Sequence, residues 1–137
     1  MTAKLVVLLW AVTFTHHLYG GLSFGSPGRT VTAFVFTAIL AITLWLHRLG
    51  AAKPWARKGY HSLVLIFWVA LLGLYEGGYN HALYVILRQV DAGLAQRLYP
   101  AGGDALISND LFFQGTGVLT LVAGIAVAVA WTRENRR

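Results

Sequence analysis

Four stretches of this sequence are each about 20 residues long and largely apolar, the length an α-helix needs to cross a bilayer at ~1.5 Å per residue. They run from about Leu5 to Leu22, Thr30 to Leu49, Tyr60 to Ala82 and Leu111 to Trp131. In hydrocarbon every backbone N–H and C=O must find a partner within the structure, so only helices and closed barrels span a membrane. No series of alternating ten-residue segments suggests a barrel. The expected fold is therefore all-α and integral to the membrane: one domain over residues 1–137, four transmembrane helices in an antiparallel bundle. Composition agrees, with 57% hydrophobic and 12% charged residues against roughly 45–50% and about 25% in soluble chains.

The links between these runs set an orientation. Ser23-Phe24-Gly25-Ser26-Pro27-Gly28 is a short stretch rich in helix breakers and predicts a hairpin between the first two spans. The second link, Gly50 to Lys58, is basic and contains Pro54. The third, about 91–110, is long and centres on Pro100-Ala101-Gly102-Gly103. Of the eleven Lys and Arg residues, Lys4, Arg48, Lys53, Arg57, Lys58, Arg133, Arg136 and Arg137 fall on one side, and Arg29, Arg88 and Arg97 on the other. The rule that basic loops stay inside then predicts both termini in the cytoplasm and the long loop outside. The implied location is the cell's inner (cytoplasmic) membrane, as a multi-pass protein. The first run resembles a signal peptide but continues into Thr15-His16-His17 with no small-x-small cleavage site, so it reads as a retained span.

Against this background one segment departs from plain apolar filler. After Leu63–Leu72 comes Gly73-Leu74-Tyr75-Glu76-Gly77-Gly78-Tyr79-Asn80-His81. A carboxylate, an amide and an imidazole thus follow one another before the chain has clearly left the lipid. Burying such groups costs free energy unless they find partners, so they mark a candidate functional site. Counted from the cytoplasmic ends, His16 and His17 lie about 17 Å in and Glu76 about 20 Å in, while His81 would sit about 7 Å higher. Gln114, Thr116 and Thr32 reach a similar level. Glu76 and Asn80, at i and i+4, share a face. His81 is about 140° away from Glu76 on an α-helix, which predicts a break at Gly77-Gly78 if both are to face one site, with the following piece tilted along the surface. His16 and His17 diverge by about 100°, which predicts that one of them faces inward.

Imidazoles with one carboxylate and no thiolate are a ligand set for zinc, copper or iron. The candidate metal ligands are His16, His17, Glu76 and His81. Two histidines from different spans, His17 and His81, could alternatively hold a haem. A second reading makes Glu76 a catalytic residue that exchanges protons with a histidine, in an enzyme or carrier for a lipophilic molecule. A third makes the protein a structural subunit whose polar residues tie helices together. The plain alternatives stand beside each residue: an interfacial histidine often only caps carbonyls or touches headgroups, and a buried Glu can be paired by a cation such as Arg88 or Arg97 folding back. His47 and His61, beside basic residues, read as interfacial.

Other function classes are excluded or unsupported. The chain has no cysteine and a net charge of +6, but its basic residues sit at the ends of apolar runs and form no patch for nucleic acid. No Gly-x-Ser-x-Gly, His-Glu-x-x-His, nucleotide-binding loop or dinucleotide fingerprint occurs. The expected partners are the lipid bilayer and either further copies of the chain or a larger membrane complex. Gly73-x-x-x-Gly77, a spacing suited to close helix approach, serves packing within the chain as readily as a dimer.

Overall fold

The structure, a computed structural model, describes residues 1–99 and 110–136. The described residues form five helical segments and no strand: α1 (Thr2–Ser23), α2 (Pro27–Leu49), α3 (Pro54–Val90), the short α4 (Ala92–Leu98) and α5 (Leu111–Asn135). Helices α1, α2, α3 and α5 are each long and apolar enough to cross a membrane.

The helix ends follow local chemistry. Gly25, at φ 62°, supplies the left-handed residue in the turn between α1 and α2, where a side chain would be strained. Pro27 and Pro54 open α2 and α3, where a fixed φ is already helical and a missing N–H is not needed. Asp110 caps α5 by accepting from the Phe113 N–H at 2.7 Å, and Asp91 caps α4 by accepting from the Leu94 N–H. The Pro100–Gly103 centre of the third link lies outside the described residues.

Helix α3 differs most from expectation. It starts earlier, at Pro54, and runs unbroken to Val90; no break occurs at Gly77-Gly78. Its central part, Leu63–Leu83, is π-helical, closing its backbone hydrogen bonds from i to i+5. The wider winding brings residue i+5 nearer to the face of residue i than an α-helix does. Gly77 is used for contact instead of bending: a Cβ there would collide with the backbone at Leu121 and Thr120, and one at Gly73 would meet Gly124 Cα at 2.9 Å. The Gly73-x-x-x-Gly77 face is thus the seam on which α3 and α5 approach backbone to backbone.

The exterior is apolar, and the interior holds several polar side chains within an apolar core. Leu8, Phe34, Ile42, Ile66, Leu119 and Val122 are all exposed, whereas Thr13, His16, Thr43, His81 and Thr120 are buried. Four long apolar helices that turn their large side chains outward belong to a multi-pass membrane protein. Trp68, wholly buried, donates its indole N–H to Thr43 at 3.0 Å and ties α3 to α2. Trp10 does the same between α1 and Thr37 of α2. At the far end, Thr2 donates from both its N–H and its hydroxyl to Glu134, so the start of α1 lies against the end of α5.

Candidate metal centre

Helices α1 and α3 touch each other very little, while α5 packs closely against both. The polar residues fill the space that this arrangement leaves between α1 and α3. Glu76 Oε1 is the focus. His16 Nε2 stands 3.7 Å from it, His17 Nε2 3.6 Å and His81 Nε2 3.6 Å. One ligand atom from each of His16, Glu76 and His81 lies within 4.8 Å of the other two, so this group can hold a metal ion.

Each helix contributes through its own local geometry. The wider winding of α3 narrows the offset between Glu76 and His81 relative to an α-helix. Their side chains then meet, with His81 Nε2 3.6 Å from Glu76 Oε1, so no kink is required. On α1 both neighbours face the site, contrary to the expectation of one. Their rings diverge, with centroids 5.2 Å apart and planes at 90°. The imidazole arm is long enough for each to reach the same oxygen from either flank of the helix. His16 is fully buried and stacks on Phe113 of α5, centroids 4.1 Å apart. His17 lies edge-on to Phe36 of α2.

The partners outside this cluster set its tautomers. Gln114 Oε1 is 2.8 Å from His81 Nδ1. A carbonyl oxygen only accepts, so Nδ1 carries a proton, and in the neutral ring Nε2 turns a lone pair toward Glu76. Thr116 Oγ1 is 3.0 Å from His16 Nδ1 and has the carbonyl oxygens of Phe112 and Phe113 as acceptors for its own proton. With its proton so placed it accepts from His16 Nδ1–H, and in the neutral ring His16 Nε2 also presents a lone pair. That buried atom has no hydrogen-bond partner. Asn80 donates to Glu76 Oε2 at 2.8 Å, which leaves Oε1 for the imidazoles. His17 differs, since neither of its buried ring nitrogens has a hydrogen-bond partner.

Two features near the site were not legible in the sequence. Gly117 abuts the His81 ring so closely that a Cβ there would overlap it, which fixes the ring's position. Arg29, from the start of α2, holds its guanidinium 4.7 Å from the Phe113 ring centroid and lies within electrostatic reach of Glu76. Arg88 and Arg97, considered as the cations for that carboxylate, have other contacts: the Tyr84 ring and the Gly93 carbonyl. Thr32 returns its hydroxyl to Gly28 O on its own helix and does not join the cluster. The hydroxyls of Tyr19 and Tyr99 bond Asp110 and the Tyr79 carbonyl, not the cluster. His61, set aside as interfacial, accepts from the Trp131 indole at 2.9 Å. A cavity of about 420 Å³ is lined by Gln114 together with Tyr84, Arg88, Gln89 and Asp110.

Comparison with known proteins adds little to this geometry. No family model matches the chain. A UPF0182 protein of Streptomyces coelicolor is 38% identical over 60 residues, a match that takes in 36% of this chain and 6% of that relative. So small a share of the relative carries no family assignment. No solved structure matches the chain. Function has to be argued from the site.

Proposed function

We propose that this protein binds one first-row transition-metal ion through His16, Glu76 and His81, and serves as a redox or metal-handling protein of the inner membrane, alone or within a larger complex. The observation that carries the reading is the convergence of donor atoms. Two imidazole Nε2 atoms, whose other nitrogens are tied to Gln114 and Thr116, face one carboxylate oxygen inside an apolar protein. With both rings neutral, three lone pairs meet there, and a cation at the centre relieves their repulsion. Ligating histidines nearly always donate their other N–H to an outer partner, and these two do. A mixed imidazole and carboxylate set suits zinc, copper or iron.

The packing favours a bare ion over haem between His17 and His81. The His16 ring lies in edge-to-face contact with both, its centroid 5.2 Å from that of His17 and 4.6 Å from that of His81. Phe113 covers the His16 ring and Gly117 abuts that of His81. A porphyrin would have to displace His16 from between its two neighbours.

For topology, the proposal is an up-down antiparallel bundle with both termini cytoplasmic and the metal in the outer half of the bilayer. The charge bias supports the sidedness. The contacts of Trp10 with Thr37 and of Thr2 with Glu134 support the helix order. A second reading, in which Glu76 exchanges protons with a lipophilic substrate, draws on one observation: its side chain keeps 19% of its surface open, against 1% and 4% for His16 and His81. Elemental analysis of the purified protein, with an absorption spectrum, separates the readings. One metal per chain, lost in Glu76→Gln, is the expected result. A Soret band would replace the ion with haem. Neither metal nor haem, with an activity abolished by Glu76→Gln, would move Glu76 to the catalytic role.

A further inference from the structure

The four candidate ligands are not equivalent, and the difference points to what the centre does with its metal. His16 and His81 each have one nitrogen tied to an outer acceptor, on Thr116 and Gln114, and Asn80 orients Glu76. His17 has no such support. It lies beside the carboxylate, yet it is held in place by the edge of the Phe36 ring, and its two ring nitrogens are buried with no hydrogen-bond partner. It also falls outside the group of three whose donor atoms are mutually close.

From this contrast we infer that His17 is not a committed ligand, and that the centre keeps an open coordination position beside it for a small exogenous ligand of the water, hydroxide or small-anion class. The inference rests on the metal-binding reading above. A closed structural site uses four protein ligands, whereas a site that does chemistry keeps three and leaves one position for solvent or substrate. Two histidines and one carboxylate with open positions form such a three-ligand set. A buried imidazole with neither nitrogen paired is costly. A ligand on the metal next to His17 supplies the missing hydrogen-bond partner, and His17 in turn orients that ligand. His17 is therefore a positioning residue for the bound ligand.

The test uses the full chain in detergent, loaded with copper(II) and titrated with sodium azide, a small anion that gives a charge-transfer band when it binds copper. The expected result is one copper per chain and a saturable azide band in the wild type. His17→Phe should keep the copper stoichiometry and weaken azide binding about tenfold or more, the worth of one hydrogen bond to a charged group. His17→Gln, which restores a donor, should recover part of that loss. Copper bound with no azide band would overturn the open position while leaving the metal site intact. Loss of copper in both His17 variants, as in His16→Ala, would make His17 a fourth ligand and overturn the inference. If the wild type binds no metal, the metal-binding reading falls, and this inference with it.

Discussion

Gln114 and Thr116 decide how the imidazoles behave, although neither touches the proposed metal position. Each accepts an N–H from a ring whose other nitrogen faces Glu76. Removing such an outer partner frees the tautomer and the ring orientation, and typically costs 10–100-fold in metal affinity. Gln114→Leu and Thr116→Val should therefore each weaken binding by about 10–100-fold in a chelator competition, with the helices intact by circular dichroism. Thr43→Val is the contrasting control. It strands the Trp68 indole N–H in the core and should cost about 1–3 kcal/mol of stability, read as a lower unfolding midpoint, with metal affinity unchanged. These three side chains separate affinity from stability because Thr43 belongs to the α2–α3 contact and the other two belong to the site.

At the scale of the helix, the site depends on how α3 is wound and on how near α5 comes to it. Much of this was legible. The apolar runs predict the four long helices, and counting along them brings Glu76 and the α1 histidines to one level. The same count makes the pairing of an α1 histidine with Glu76 visible, but it leaves His81 about 7 Å higher. What the residue pattern does not carry is the local pitch: an α-helical count separates Glu76 and His81 by 140°, and only packing reveals the π winding that realigns them. The Gly117 seat and the Phe113 stack are likewise invisible, because they depend on which face of α5 meets α3 and α1. Two changes test the account. Gly117→Ala places a methyl group where the His81 ring lies and should abolish or strongly weaken metal binding, while leaving Glu76 in place. One alanine inserted after Gly78 moves His81 to i+6 from Glu76, out of the i+5 register. It should remove the metal with little change in helix content, and retained stoichiometry would show that winding does not align the ligands.

For the whole molecule, the sidedness of the centre governs which compartment can supply its metal or its exogenous ligand. Three things place the site toward one end: its level between the turn of Phe24–Ser26 and the start of α5, the capping of α5 by Asp110 to which Tyr19 also bonds, and the cavity at Gln114. Basic residues gather at the opposite end, where Lys53 precedes α3 and Arg57 and Lys58 lie in its first turns. On the proposed topology, in which such clusters stay in the cytoplasm, the centre lies in the outer half of the bilayer. The sequence has no cysteine, so single cysteines report topology without a background. In spheroplasts treated with a membrane-impermeant maleimide, Gln89→Cys, on the exposed rim of the cavity, should label at once. Lys53→Cys, which is exposed in the link between α2 and α3, should label only after permeabilisation. The reverse pattern would put the centre in the cytoplasmic half, so that its metal would come from the cytoplasmic pool. Labelling of both without permeabilisation would break the four-span topology itself, since an odd number of crossings has to separate these two positions if α3 spans the membrane once.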